Sequence, residues 1–188
     1  MNTPCLRRCT CLGLLFLATV AASAQSRRDP FTQPEINQIR DSSWEPQQRL
    51  SLYVKFARAR LAALDKMRND PKTKDRPQQT HDKLDDFLLI YDELNDNIDT
   101  YVDRKDDIRH PLKQIIEADV EFKGQLRSLK EGAGVSPQEM QRYEFILSSA
   151  LDTVTTSLQD HRKLLAEQEE AAKHGKKFET RPSSGRPE

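Results

Sequence analysis

The apolar residues of segment 136–173 recur at intervals of three and four, which places them on one stripe of a long α-helix. Ser136 can cap the start of this helix, and Glu139 can reach back to complete a capping box. Lys173 precedes Gly175, a pair typical of a helix end. The pattern therefore predicts one continuous helix over residues 136–174. Its stripe comprises Met140, Tyr143, Ile146, Leu147, Ala150, Leu151, Val154, Leu158, Leu164 and Leu165.

Three further stripes of the same period predict helices over residues 44–68, 80–105 and 108–131. Before them, Thr32 and Glu35 have the spacing of a capping box and predict a short N-terminal helix. The chain has only 6 glycines and few β-branched residues, which disfavours a sheet. We predict an all-α fold, an antiparallel bundle of three to four long helices.

The segment 69–80 contains Pro71 and Pro77 together with several charged residues. Prolines and charges between two periodic segments are typical of an exposed loop. We therefore predict a loop over the whole of this segment.

Residues 104–111 leave two structures open. Pro111 disfavours a helical residue before it and lacks a backbone donor, which favours a turn near Asp106. The apolar stripe nevertheless continues in phase through Ile108 and Leu112, as in one long, kinked helix. A turn yields four helices of comparable length that can bury every stripe, so we predict the turn.

The N-terminus has the organisation of a secretory signal peptide covering residues 1–24. Arg7 and Arg8 precede a short apolar run, and Ala22-Ser23-Ala24 is typical of a cleavage site before Gln25. The run is about half of the roughly 20 residues that a membrane span needs, so stable insertion after cleavage is not expected. We predict a periplasmic or secreted protein. The paired arginines leave both the general and the twin-arginine export routes open.

The cysteines at positions 5, 9 and 11 all lie in the predicted signal peptide. The mature chain then has no cysteine for a nucleophile, a thiolate metal site or a disulfide. Residues 25–174 suffice for a single helical domain. Residues 175–188 are rich in proline, serine and basic side chains, a composition that predicts a disordered basic tail.

The whole chain has 30 basic and 30 acidic residues. Loss of Arg7 and Arg8 with the signal peptide leaves the mature chain near −2. Such a balance provides no basic excess to neutralise phosphates, so we do not expect a nucleic-acid partner.

His161 is the histidine that lies on an apolar stripe, in line with Leu158 and Leu165. A histidine there is more often packed and hydrogen-bonded than a ligand. Metal-binding bundles use Glu-x-x-His pairs or two histidines one turn apart, and the sequence contains neither. We therefore predict no metal ligand, no cofactor and no catalytic residue.

The acidic run 95–106 has several side chains at the spacing of a calcium-binding loop. Thr100 stands where that loop requires glycine, and Asp106 stands where it requires a bidentate glutamate. The helical stripe also passes through Ile98 and Tyr101. A solvated acidic helix face is the better interpretation.

Catalytic motifs such as Gly-x-Ser-x-Gly, a phosphate loop or His-Glu-x-x-His do not occur in the sequence, so an enzyme is not expected. We expect an exported bundle with a structural or protein-interaction role and a protein partner in the cell envelope. One alternative is a periplasmic bundle, like a stress sensor or chaperone, that binds a small molecule or metal around His161. A second is an enzyme of unknown class. The Leu-Thr-x-x-Gln signature of small periplasmic chaperones and metal-stress sensors is missing, and segment 135–139 is a generic helix cap, so no family is assigned.

Overall fold

A computed structural model describes residues 29–42, 45–132 and 135–174 of the 188-residue chain. The predicted signal peptide and the predicted tail lie outside the described residues. The described part contains helices and no strand, which confirms the all-α prediction. In chain order the helices are α1 (Gln33–Asp41), α2 (Pro46–Asn69), α3 (Arg76–Asp103), α4 (Arg109–Glu131), α5 (Pro137–Gln141) and α6 (Glu144–Lys173).

The predicted loop over residues 69–80 is too long, because α3 already begins at Arg76. Pro77 lies in the first turn of α3, where its missing N–H would have no partner in the helix anyway. Asp75, the residue directly before α3, has a φ of 44°, in the left-handed region. This conformation turns the chain into the helix. The connection between α2 and α3 is therefore residues 70–75.

The prediction of one continuous helix over residues 136–174 is also wrong. The chain breaks between α5 and α6 at Tyr143, whose φ of −132° and ψ of 3° are not helical. Tyr143 is 1% exposed, and the Arg68 guanidinium carbon lies 5.5 Å from its ring centre. The break thus accompanies the burial of an aromatic ring beneath a cation of α2, a contact that periodicity does not reveal.

Between α3 and α4 the chain turns, as predicted, and does not continue as a kinked helix. Lys105 takes φ of 59°, and its backbone N–H bonds to the Val102 carbonyl at 2.9 Å. The N–H of Asp106 bonds to the Tyr101 carbonyl, also at 2.9 Å. These two bonds form a Schellman motif that closes α3, with lysine at the position usually taken by glycine.

Helices α2 and α3 run antiparallel to each other. Arg49 of α2 donates to Asn97 of α3 at 2.8 Å, whereas Arg68, near the other end of α2, donates to Thr80 at 3.0 Å. Helices α4 and α6 are also antiparallel, because Lys113 of α4 meets Glu169 of α6, whereas Asp119, later in α4, meets His161, earlier in α6. Further contacts join α2 to α4 and α3 to α6.

One hydrophobic core is shared by the four long helices. At its centre the ring of Phe87 lies 5.4 Å from that of Phe122 in an edge-to-face contact and 5.7 Å from that of Tyr91. Each buried side chain of this size contributes about 1.5–3 kcal/mol of transfer free energy, so the core provides the main stabilisation. Leu158 of the predicted stripe is buried, whereas Leu151 is only partly buried.

No helix among the described residues is long and apolar enough to cross a membrane.

Candidate functional site: a buried polar network beneath a cleft

Asp119 of α4 is 0% exposed, an unusual position for a charged side chain. The Tyr91 hydroxyl of α3 donates to its Oδ1 at 2.6 Å, and Nδ1 of His161 on α6 lies 2.8 Å from its Oδ2. A buried carboxylate is costly unless it is hydrogen-bonded, and here both oxygens have partners. We call these three residues the Asp119 network; it connects three of the long helices.

The protonation of Tyr91 follows from its surroundings. Burial, reinforced by the neighbouring Asp119 carboxylate, raises the pKa of Tyr91 far above its ordinary value of 10.0. The Tyr91 hydroxyl therefore keeps its proton and remains a donor. An ionised carboxylate only accepts hydrogen bonds, so with Asp119 in that form Nδ1 of His161 carries the proton. The ring orientation of His161 is thereby fixed from the core side.

His161 also lines a cleft between α3 and α6, with a volume of about 370 Å³. Its Nδ1 is held by Asp119, and no described residue hydrogen-bonds with its Nε2, so Nε2 is the nitrogen left for the cleft. We call this the α3–α6 cleft. It is lined by Asn95, Ile98, Asp99 and Val102 of α3 and by Ser157, Asp160, His161, Lys163, Leu164 and Glu167 of α6.

A second polar contact crosses the α3–α6 cleft. Asn95 donates from Nδ2 to the hydroxyl oxygen of Ser157 at 3.1 Å. Its Oδ1 has no exposed surface and no hydrogen-bond partner within the described part of the chain. An unpartnered buried carbonyl oxygen is costly, so a donor that reaches Oδ1 after a shift of the Asn95 side chain would be stabilising.

Ser157, His161 and Asp119 are the residue types of a nucleophilic triad, but they are not connected as one. Ser157 accepts from Asn95, and among the described residues it has no hydrogen bond with His161. A nucleophile must be within hydrogen-bond reach of its base to be activated. The arrangement can hold and orient a ligand, but it does not form a nucleophile–base pair.

The other histidines lie apart from this site. His174 contacts Glu170 at 2.7 Å on α6, His81 lies 3.7 Å from Asp82, and His110 is exposed. Within the three described ranges, no three histidine, cysteine or acidic side chains come close enough to hold a metal ion. His161 is packed and hydrogen-bonded, the alternative that the sequence favoured. Most of the acidic run, residues 95–103, forms the end of α3, so this part of the chain is helix, as its apolar stripe indicated.

Sequence reasoning missed Asp119 and Gln168, although both carried a periodicity signal. Asp119 lies in line with Ile115 and Phe122, so a carboxylate stands on the apolar stripe of α4. Gln168 stands seven residues after His161, on the same face of α6. Its Oε1 accepts from the N–H of Ile108 at 3.1 Å, and its Nε2 donates to the Asp106 carbonyl at 3.2 Å. It thus secures the α3–α4 turn.

Helix α1 is attached to the bundle by an ionic contact. Arg60 of α2 donates to Glu35 at 2.6 and 3.0 Å and to the Pro30 carbonyl at 2.7 Å. Burial acts to raise the pKa of Glu35, but the hydrogen bonds from Arg60 and from Thr32 outweigh it and lower that pKa below its ordinary 4.5. Glu35 is therefore ionised near neutral pH and holds residues 30–41 against α2.

Two large apolar side chains are exposed on the surface of the described residues. Phe145, in the first turn of α6, is 87% exposed, and Val120 of α4 is 51% exposed. The exposure of Phe145 is the more unusual of the two, because an aromatic ring gains much free energy from burial.

Comparison with known proteins adds no assignment: no family model, no curated protein and no solved structure matches this chain.

Proposed function

We propose that this chain is an exported, non-enzymatic binding protein whose site is the α3–α6 cleft. The observation that carries the proposal is the dual position of His161. One side of its ring is locked by the buried Asp119 network, and the same residue lines an open cleft. A side chain fixed from behind loses little freedom on binding, which favours recognition. The cleft volume also falls in the range of about 300–1,000 Å³ typical of small-molecule sites.

The scaffold of this function is a four-helix bundle in which two antiparallel pairs, α2–α3 and α4–α6, lie side by side. Between the pairs α2 runs parallel to α4, because Ser51 meets Gln114 and Arg58 meets Glu121. Support comes from the antiparallel α2–α3 and α4–α6 pairs and from the contacts that join them. Arg58 of α2 donates to Glu121 of α4 at 2.8 Å, and Asn95 joins α3 to Ser157 of α6. In such a bundle, sites between facing helices are a common arrangement.

Export rests on the sequence of the N-terminus. We expect the isolated mature protein to begin at Gln25 and to be found outside the cytoplasm, because Arg7, Arg8, the apolar run and Ala22-Ser23-Ala24 form a cleavable signal. N-terminal sequencing of the native protein, with cell fractionation, tests this. Recovery of the soluble protein in the cytoplasm with Met1 retained would contradict it.

The binding role is tested by NMR on the mature protein. Amide shifts are followed while small amines, carboxylates, sugars and nucleotides are added separately, each at about 1 mM, a concentration that detects weak sites. We expect at least one class to shift the amides of Asp99, Ser157 and Lys163 and to leave those of Arg58 and Glu121, between α2 and α4, unchanged. If no compound shifts the cleft amides, the cleft is not the binding site.

A second candidate function, binding of a protein partner in the cell envelope, is favoured by Phe145. Its ring is 87% exposed at the start of α6, and aromatic side chains of this kind anchor protein interfaces. Affinity capture from the organism's own envelope extract tests it, with Phe145→Ser against a Val120→Ser control. A partner retained by the wild type and the control but lost with Phe145→Ser supports this role. Equal recovery with all three proteins argues against it.

A further inference from the structure

We infer that the α3–α6 cleft takes a small aliphatic amine, a molecule with cationic N–H donors at the ends of a short methylene chain. This inference rests on the proposed binding function of the cleft and specifies the chemical class of its ligand. Three features of the walls lead to it: inner acceptor atoms, the charge of the rim and apolar side chains.

The inner wall presents hydrogen-bond acceptors. In the neutral form of His161 with Nδ1 donating to Asp119, Nε2 is an acceptor. Asn95 Oδ1, whose residue lines the same cleft, is a buried acceptor without a partner among the described residues. Acceptors in need of hydrogen bonds are satisfied by donors, which favours an ammonium group over a carboxylate or phosphate.

The rim is acidic. Nζ of Lys163 lies 3.9 Å from Oε1 of Glu167, so these two residues offset each other's charge. Asp99 and Asp160 also line the cleft, and among the described residues neither has an ion-pair partner. Two uncompensated carboxylates attract a cation and repel an anion, so the rim and the inner wall favour ligands of the same charge.

The remaining wall is apolar. Ile98, Val102 and Leu164 also line the cleft. Methylene groups gain from contact with such a surface, whereas a compact hydrated metal ion does not. The combination fits a diamine or a longer polyamine better than an inorganic cation.

The test is calorimetric and NMR titration of the mature protein with putrescine, using glutarate and 1,4-butanediol as anionic and neutral controls of similar length. We expect putrescine to bind and to shift the amides of Asp99, Ser157 and Lys163, with neither control doing so. Asp160→Asn should weaken putrescine binding about three- to tenfold, since it removes one rim charge. Asp152→Asn, an exposed substitution on the same helix outside the cleft lining, should leave binding unchanged.

The other outcomes separate this inference from the function beneath it. If glutarate or butanediol shifts the cleft amides and putrescine does not, the cleft is a binding site but the amine assignment is wrong. If putrescine binds Asp160→Asn as tightly as the wild type, the rim charge does not recognise it and the inference also fails. If no compound shifts the cleft amides, here or in the broader panel, the proposed function falls as well.

Discussion

The α2–α3 pair and the α4–α6 pair are both antiparallel, yet they are held together differently. The polar contacts between α2 and α3 lie near the two ends of α2, where Arg49 meets Asn97 and Arg68 meets Thr80. Between α4 and α6 a polar contact lies deep inside, because Asp119 and His161 are both buried. An apolar interface loses stability gradually as atoms are removed, whereas a buried polar contact leaves an orphaned group when one partner goes. The α4–α6 pair is therefore the more specific and the more vulnerable of the two.

The largest expected effect comes from Asp119→Ala. It deprives both the Tyr91 hydroxyl and the His161 ring of their buried partner, and we expect it to lower the free energy of unfolding by about 3–5 kcal/mol. That is a large part of the roughly 5–15 kcal/mol available to a domain. Urea unfolding followed by circular dichroism measures it.

Asp152→Ala is the matched control, an exposed aspartate of α6, and should change stability by less than about 0.5 kcal/mol. Asp119→Asn should fall between the two, because an amide of the same shape can still accept from Tyr91. Equal stabilities of Asp119→Ala and Asp152→Ala would show that the network contributes nothing, and the contrast between the helix pairs would disappear.

The next effect concerns the α3–α4 turn. Gln168→Ala removes two hydrogen bonds to backbone groups of Asp106 and Ile108, at a cost of about 1–3 kcal/mol. Because the N–H of Ile108 loses its acceptor, its hydrogen exchange should accelerate more than that of distant amides.

Asn97→Ala removes a polar contact from the end of the α2–α3 pair and is the comparison for Gln168→Ala. Its partner Arg49 also lies 3.3 Å from the Ile39 carbonyl and 3.4 Å from the Tyr53 hydroxyl, so the guanidinium is not orphaned. We expect a loss of about 0.5–1.5 kcal/mol. A loss larger than that of Gln168→Ala would mean that the polar contact at the end of the α2–α3 pair contributes more stability than the one that secures the α3–α4 turn.

The sequence predicts the helices well because burial of one face imposes a period on each segment, independent of what that face contacts. It fails where contacts between distant segments matter, as at Tyr143, which is buried beneath Arg68 at the point where the last predicted helix is interrupted. The candidate site has the same limit. His161 stands out by periodicity, but its pairing with Asp119 depends on the register of α6 against α4, which a single sequence does not give.

The last expected effect is ionic, pH-dependent and placed outside both helix pairs, at the attachment of α1. Hydrogen bonds from Arg60 and Thr32 outweigh burial and lower the pKa of Glu35 below 4.5. A carboxyl whose pKa is lower in the folded state stabilises the fold above the unfolded value and loses that contribution as the pH falls through the folded value. Glu35→Gln should therefore cost about 1–2 kcal/mol at pH 7, where one charged partner is lost. The difference from the wild type should shrink as the pH falls below 4.5. Urea unfolding of both proteins from pH 7 to pH 3 measures it, with Glu117→Gln, an exposed change on α4, as the control. A difference that stays constant over this range would mean that Glu35 acts through packing alone, and that α1 is held by the apolar contact of Phe31 with Tyr53 and Phe56.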